Sequence, residues 1–249
     1  MRTPLNEVTK ALQSHVISDH HYKAFREKTT KLNVLGLRLP VIQKLEHTGF
    51  SFYQEPSKSI LETWTHIWNT TDIHEVMYLP LFYYRRNRNL LDPTHWKTMK
   101  GWVNRIENWE HADALCQLYS FFYEQHPTLV EPTLRAWNKS KNPWHKRASI
   151  VSTIYYASRN RNAPSLKTVF ELIEPLITHK NPYVQKAVGW QLREAYKLEP
   201  KRALTFIQRH LVELAPISYS YATEHVPAQT RASMKERRRL FRALQKKGT

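Results

Sequence analysis

Apolar residues recur along most of the chain three and four positions apart, the spacing of an amphipathic helix. After Pro143, for example, Trp144, Ala148 and Val151 fall on one helical face. No convincing run of strict alternation, which would indicate strands, competes with this pattern. Short polar joints separate the periodic segments, so successive helices are expected to pack as antiparallel neighbours. The pattern predicts an all-α protein.

Proline marks several of the predicted helix starts. Because proline has a fixed φ and no N–H to satisfy, it suits the first turn of a helix. Six such starts are each followed by apolar residues at helical spacing: Thr3-Pro4, Asp92-Pro93, His126-Pro127, Asn142-Pro143, Asn181-Pro182 and Glu199-Pro200.

Two of these starts resemble each other. The segment "KNPWHKRASI" (Lys141–Ile150) is echoed by "KNPYVQKAVG" (Lys180–Gly189) at an offset of 39 residues. A period near 40 with two helices per unit is typical of HEAT and armadillo arrays, although a chance likeness between two helix starts would look similar. We predict a HEAT-like helical-repeat solenoid, an α-α superhelix whose concave face forms a basic groove.

The predicted organisation is a single repeat domain over residues 1–249. Less regular helices occupy residues 1–55, repeat helices occupy 56–213, and basic helices occupy 214–249. In a solenoid, equivalent helices of successive repeats lie side by side. The helices that begin near Trp109, Pro143 and Pro182 are therefore expected to be parallel neighbours that line the groove.

The charge balance indicates a polyanionic partner. The chain has 38 Lys and Arg against 21 Asp and Glu, for a net charge of +17. Nucleic acid is the first expectation, while an acidic protein or a membrane surface would also suit a basic chain. No apolar run of 18 residues and no signal-peptide pattern occurs, so we expect no membrane association and a cytoplasmic, nucleoid-associated protein.

The glycines, the cysteine and the histidines exclude several kinds of site. Five glycines leave no glycine-rich phosphate loop, and Cys116 as the only cysteine allows neither an intrachain disulfide nor a cysteine-based zinc cluster. The thirteen histidines include no His-x-x-x-His with a third ligand, and Cys116 lies in an apolar run that favours burial over nucleophilic chemistry. We expect no metal and no cofactor.

The three aligned helices would present aromatic and charged residues to the groove. Cations suit phosphates, indole faces suit sugars or bases, and a carboxylate suits something cationic. The candidates are Trp109 and Asp113 on the first helix, Trp144, Lys146 and Arg147 on the second, and Lys186, Trp190 and Arg193 on the third.

Packing roles compete with this interpretation. A Trp at helical spacing more often lies in a core, and Trp64, Trp68, Trp102 and Trp137 are assigned to packing. An Asp among arginines is more often an ion-pair partner, so periodicity alone favours a structural bond between Asp113 and Arg147.

Three segments together resemble the AlkD-like family of DNA alkylation-repair glycosylases. They are "NWEHAD" (Asn108–Asp113), "WNKSKNPWHKRASI" (Trp137–Ile150) and "VQKAVGWQLREAYKLEP" (Val184–Pro200), in the family's order and at similar spacing. The resemblance implies a solenoid of HEAT-like repeats that hydrolyses the N-glycosidic bond of N3- and N7-alkylated purines in double-stranded DNA, without metal or cofactor. It implies roles for Trp109, Asp113 and Trp190 at the sugar of the lesion, and for Arg147 and Arg193 at the flanking phosphates.

The chain departs from the family's pattern at two positions. Glu110 stands where the family commonly has Asp, and as a second acid beside Asp113 it is expected to be solvated. Arg26 stands at the position of a Tyr in an N-terminal stretch to which Lys28 and Gly36 could correspond. The segment "RASMKERRRLFRALQKKGT" (Arg231–Thr249) is a strongly basic helix, either solvated or a further phosphate clamp.

Three functions remain open from the sequence. The first is a monofunctional alkylpurine glycosylase that acts as a monomer. The second is a catalytically silent HEAT-repeat protein that binds damaged or branched DNA through the same groove. The third is a HEAT-type protein scaffold without a nucleic-acid role. Of the three functions, only the glycosylase requires the complete set of Trp109, Asp113 and Trp190.

Overall fold

The described residues of this computed structural model are 3–16, 20–154 and 164–247. All six predicted proline starts are confirmed as helix starts. At four of them the side chain of the preceding residue accepts a hydrogen bond from a backbone N–H of the first turn: Thr3, Asp92, Asn142 and Asn181. Local chemistry therefore sets these boundaries, since a capping oxygen and a preset φ act within one turn.

Fourteen α-helices make up most of the described part of the chain. They are α1 (Pro4–Gln13), α2 (His20–Glu27), α3 (Leu39–Thr48), α4 (Ser57–Thr70), α5 (Tyr78–Arg86), α6 (Pro93–Met99), α7 (Trp109–Gln125), α8 (Pro127–Lys139), α9 (Pro143–Val151), α10 (Leu166–Ile173), α11 (Pro182–Leu198), α12 (Pro200–Arg209), α13 (Pro216–Ala222) and α14 (Ala228–Lys247). None of the described helices combines the length and the apolarity that a bilayer crossing needs.

Contacts divide the chain into two compact units, residues 1–130 and 131–249. In the first unit, α3 and α5 run parallel. The Glu75 carboxylate, just before α5, accepts the backbone N–H groups of residues 35–37, just before α3, at 2.8–3.2 Å. At the other ends, Arg86 of α5 binds Glu46 of α3 at 2.5 Å.

Helix α7 continues this row beside α5 in the same direction. Near the starts of the two helices, His111 Nε2 lies 3.0 Å from the carbonyl oxygen of His74. Near their ends, the Arg88 guanidinium lies 5.9 Å from the ring centre of Phe121. The first unit therefore holds a row of three parallel helices, α3, α5 and α7.

A layer of tryptophans packs behind this row. Trp68 of α4 stacks on Trp102 with ring centres 5.1 Å apart, and its indole N–H donates to the Trp102 carbonyl at 3.0 Å. Trp64 is fully buried among Phe50, Phe52 and Tyr83. With Trp137 also buried, the packing role predicted for these four tryptophans is confirmed.

The second unit repeats the parallel arrangement. The rings of Trp144 and Tyr183, each two positions after its capping asparagine, have centres 4.9 Å apart. Further along, Gln191 of α11 lies 3.4 Å from the carbonyl oxygen of Thr153, just past the end of α9. Because the starts of α9 and α11 lie together and their later parts also lie together, the two helices run parallel, as the 39-residue echo predicts.

Helix α13 is a third member of this second row. The Ser218 hydroxyl donates to the Gln185 carbonyl at 2.8 Å, and Arg193 binds Glu224 at 2.7 Å. Between these contacts Gly189 faces α13 so closely that a Cβ built on it would lie 2.6 Å from the Ser218 oxygen. Glycine is required there because any side chain would meet backbone.

The remaining helices of the second unit pack behind that row or at its end. Asn138 of α8 donates to the Leu172 carbonyl of α10 at 2.8 Å, and Phe170 of α10 stacks on Phe206 of α12 with ring centres 4.3 Å apart. The basic C-terminal helix is confirmed as α14. Its Arg238 donates to the Leu211 and Leu214 carbonyls and is buried.

Gly189→Ala tests the close approach of α11 and α13. We expect a loss of about 1–3 kcal/mol in the free energy of unfolding, because the new methyl group must displace the backbone of α13. Gly101→Ala is the matched control, since a Cβ there meets nothing within 4 Å. Urea unfolding of both variants measures the difference, and an equal effect would show that α13 does not press on Gly189.

Candidate active site and nucleic-acid interface

The first two turns of α7 present an indole and a carboxylate on one face. The Asn108 side chain caps the helix by accepting the His111 N–H at 3.0 Å, which fixes where the turn begins. Trp109 is 37% exposed and Asp113, four residues later, is half-buried. Residues four apart lie one above the other, so a flat aromatic surface adjoins a carboxylate that is not sealed in the core.

Tyr78 lies beneath this turn and is affected by the charges around it. Burial raises the pKa of the Tyr78 phenol, Arg26 opposes the rise, and Tyr22, Glu75 and Asp113 add to it. Arg26 and Asp113 are therefore both within electrostatic range of one buried ring. The backbone N–H groups of residues 35–37 already satisfy the Glu75 carboxylate.

The expectation that Glu110 is solvated is wrong. Its side chain is 6% exposed and forms an ion pair with Arg26 of α2. The physical reason is that Arg26 reaches the start of α7 from a distant part of the chain and supplies the cation that a buried carboxylate needs. Arg26 and Glu110, the two positions at which the chain departs from the family's pattern, are therefore partners in one ion pair.

Two buried histidines complete the polar cluster at this end of the first unit. Asn108 Nδ2 lies 2.9 Å from His111 Nδ1, so the amide donates and the other ring nitrogen, Nε2, carries the hydrogen given to the His74 carbonyl. Burial holds the pKa of His111 well below its usual value. Burial, aided by Arg26, lowers the pKa of His74 to about 4. Both rings are therefore neutral at pH 7.

The second unit holds the other candidate residues on α9 and α11. Trp144, Lys146, Lys186 and Trp190 are all half-buried. The Lys146 ammonium donates to the Asn138 carbonyl at 2.8 Å, which holds its side chain along α8. The Trp144 ring is paired with Tyr183, so two aromatic rings adjoin two lysines at the parallel starts of α9 and α11.

The two candidate arginines differ in their surroundings. Arg193 has a side chain 21% exposed and binds both Glu194 at 3.1 Å and Glu224 at 2.7 Å. Arg147 is only 4% exposed and donates to the Tyr183 carbonyl at 2.6 Å. Arg147 thus ties α9 to α11 and offers little surface to a phosphate, although its aligned counterpart Lys186 is more accessible.

Several residues of these clusters were not among the sequence candidates. Tyr183 occupies the position of Trp144 in the 39-residue echo, so the alignment of the two segments could have identified it. Arg26 and His74 carry no local signal, because their contacts with α7 depend on segments far apart in the chain. Within the described ranges 3–16, 20–154 and 164–247, no three His, Cys, Asp or Glu side chains are grouped to hold a metal ion.

This chain is similar to known DNA alkylation repair proteins in sequence and in structure. The sequence profile described as "DNA alkylation repair enzyme" matches residues 6–226. A predicted DNA alkylation repair enzyme from Enterococcus faecalis has a similar structure, with 16% identity, 84% of this chain and 94% of that chain covered, and a TM-score of 0.72. AlkD2 from Streptococcus mutans gives 20% identity, coverages of 84% and 99%, and a TM-score of 0.56. Among curated proteins there is no significant match.

These likenesses confirm the resemblance to the family and the all-α, HEAT-like fold class. At identities of 16% and 20%, the two solved structures support the fold alone. The roles of individual residues stay predictions.

The neutral, buried His74 makes stability depend on pH. Its folded pKa lies below the value of about 6.5 in the unfolded chain, so its contribution is complete above pH 6.5 and falls as the pH drops toward 4. We expect the parent to lose about 2 kcal/mol more than His74→Gln between pH 7 and pH 5. Urea unfolding at the two pH values measures this. Equal losses in the two proteins would mean that His74 becomes charged without cost.

Proposed function

The chain belongs to the family of DNA alkylation repair enzymes, and on that premise we propose that it is a monofunctional DNA glycosylase. Its substrate is a cationic N3- or N7-alkylated purine in duplex DNA, and it acts as a monomer without metal or cofactor. The observation on which the proposal depends is the exposed Trp109 one turn before the half-buried Asp113 at the start of α7.

The charge of the substrate explains why an acid suits a basic protein. Alkylation at N3 or N7 makes the purine a cation, so the base leaves as a neutral molecule and needs no general acid. As the N-glycosidic bond breaks, its electron pair goes to the base and positive charge develops on the sugar. A fixed carboxylate stabilises that charge, because it interacts more strongly with the transition state than with the ground state.

In this proposal Asp113 faces the sugar and also orients the attacking water. The water oxygen bonds to C1′ of the sugar, and the proton it releases passes to the carboxylate or to solvent. The indole faces of Trp109 and Trp190 attract the cationic sugar and base.

The basic residues of α9 and α11 bind the DNA backbone in this proposal. Lys186 and Arg193 contact flanking phosphates, and Trp144 with Lys146 lies beside the same strand. Arg147 acts chiefly by holding α9 to the start of α11. This keeps the DNA-contacting faces of these two helices side by side. With 17 more positive than negative charges, the chain is suited to a polyanion held in this way.

Asp113→Asn tests the chemical step. We expect release of free base from methylated duplex DNA to fall by about a hundredfold or more, since a single electrostatic stabiliser contributes that much. Binding to the duplex should be retained or slightly tighter, because a negative charge near phosphates is removed.

Glu62→Gln is the matched control for this variant, because Glu62 is an exposed carboxylate of the same unit, on α4. It should release base like the parent. A parent that binds methylated duplex without releasing base would indicate a catalytically silent damage-binding protein. Undiminished release by Asp113→Asn would remove Asp113 from the reaction.

The salt dependence of binding tests the interface on α11. We expect Lys186→Ala and Arg193→Ala each to weaken binding to every duplex and to reduce the slope of log K against log salt by about one. Lys167→Ala is the control, since Lys167 is 82% exposed on α10, behind the parallel row. A slope that changes as much in the control would place the phosphates elsewhere.

A further inference from the structure

Helix α14 carries a large part of the positive charge of the chain. Its 20 residues include eight Lys and Arg and one acid, Glu236, so seven of the 17 excess positive charges lie in this single element. The family profile ends at residue 226, and α14 begins two residues later at Ala228. The basic helix is therefore an element that the family's profile does not account for.

One side of α14 fixes the helix to the second unit. Met234 is buried, and so is Arg238, whose guanidinium donates to the carbonyl groups of Leu211 and Leu214 just before α13. The same guanidinium lies 4.5 Å from the ring centre of Tyr219 on α13. Residues four apart share a helical face, so Met234 and Arg238 form the side by which α14 is held.

Helix α14 turns back toward the start of α13. Five residues connect the end of α13 to the start of α14. In the first turns of α14, the backbone carbonyl of Arg231 accepts a hydrogen bond from the Tyr219 hydroxyl at 3.2 Å. Two turns later Arg238 binds the carbonyl of Leu214, which precedes α13. The second half of α14 therefore lies at the end of the row where α13 begins.

That end of the row also holds the proposed phosphate contact Lys186. The start of α13 touches α11 where the Ser218 hydroxyl donates to the Gln185 carbonyl, and Lys186 is the next residue of α11. The start of α9 lies beside the start of α11 at the same end. The charges of α14 are thus added where the proposed function already places the DNA backbone.

The cations on either side of Arg238 are open to solvent. Lys235, Arg237 and Arg239 are exposed, and the Arg239 side chain is 68% exposed even with its ion pair to Glu236. After Arg238 the helix continues for nine residues, a length of about 14 Å. None of the side chains that the structure describes in that stretch is buried. The second half of α14 is therefore a basic surface available to a partner.

We propose that α14 is a second DNA-binding element, which holds the duplex backbone beside the contacts of α9 and α11. Duplex DNA carries one negative charge for about every 1.7 Å of its axis, so a helix with closely spaced exposed cations can meet several phosphates. The inference deepens the proposed function and rests on it for the choice of DNA as the partner. Binding to undamaged duplex tests it without any base release.

An exposed apolar patch near the end of α14 suggests an anionic membrane as the competing partner. Leu240, Phe241 and Leu244 are 50%, 41% and 69% exposed. A helix that lies on a membrane buries an apolar face along its length and keeps its cations on the other side. Here the apolar patch is little more than one turn long, and Arg237 lies on the same side, three residues before Leu240 and four before Phe241. This distribution of charge favours DNA.

The first experiment measures the salt dependence of binding to an undamaged duplex. The α14 variant combines Lys235→Gln, Arg237→Gln and Arg239→Gln. We expect its slope of log K against log salt to be smaller than that of the parent by about two or more, because each lost phosphate contact removes nearly one unit. Thermal unfolding checks that the variant is folded.

A control variant loses the same net charge elsewhere in the second unit. It replaces three exposed cations of α10 and α12: Lys167→Gln, Lys201→Gln and Arg202→Gln. Helix α12 begins directly after the end of α11, so its first residues lie away from the end where α11 and α13 begin. We expect the slope of the control to differ from the parent's by less than about one.

A crosslinking experiment locates the contact independently of charge. Ala243 is exposed and lies four residues after Arg239, on the same face of α14, whereas Cys116, the only cysteine, is buried. Ala243→Cys that carries a thiol-linked photo-crosslinker should become attached to undamaged duplex on irradiation. Lys167→Cys with the same label, on α10, should not.

The outcomes separate the inference from the proposed function. Equal slopes for the α14 variant and the control, or no crosslink from Ala243→Cys, would overturn the inference. Loss of binding to anionic phospholipid vesicles in the α14 variant, with the duplex slope of the parent, would overturn it in favour of a membrane. A parent that binds duplex but releases no base overturns the proposed glycosylase alone, since both experiments use undamaged DNA.

Discussion

Parallel stacking of every second helix is the constraint on which the rest of each unit depends. In the first unit it brings the starts of α3, α5 and α7 to one end, and in the second it does so for α9, α11 and α13. Residues in equivalent turns therefore meet side by side, as Trp144 and Tyr183 do. The close packing at Gly189 shows how tightly two members of a row can approach.

The same constraint concentrates polar chemistry at the starts of the helices. First-turn residues have neighbours on both sides and backbone N–H groups to satisfy, so capping side chains, ion pairs and aromatic rings collect there. At the start of α7 the result is a cluster of polar groups: Glu75 bound by backbone, Glu110 bound by Arg26, two neutral histidines, and the half-buried Asp113.

The features that local chemistry controls could be predicted from the sequence. Proline with a capping residue predicted six helix starts, and apolar spacing separated Trp64 and Trp68, which are fully buried, from Trp109, which is not. The burial of a polar side chain could not be predicted where its partner comes from a distant segment. Glu110 is buried because Arg26 comes from α2. The sequence also gives no sign that Arg147 donates a hydrogen bond to the Tyr183 carbonyl of α11 and is buried, whereas the aligned Lys186 is more accessible; the role of Arg147 at phosphates stays a prediction.

The central proposal is that the Asp113 carboxylate, beside Trp109, stabilises the positively charged sugar of the lesion. A crystal structure of the chain bound to duplex DNA that contains a cationic aza-sugar, a mimic of the oxocarbenium ion, tests this most directly. The proposal predicts the Asp113 carboxylate within about 3 Å of the sugar nitrogen, the distance of a charge-assisted hydrogen bond, with the Trp109 indole against the same nucleotide. A complex in which the aza-sugar lies away from Asp113 would contradict it.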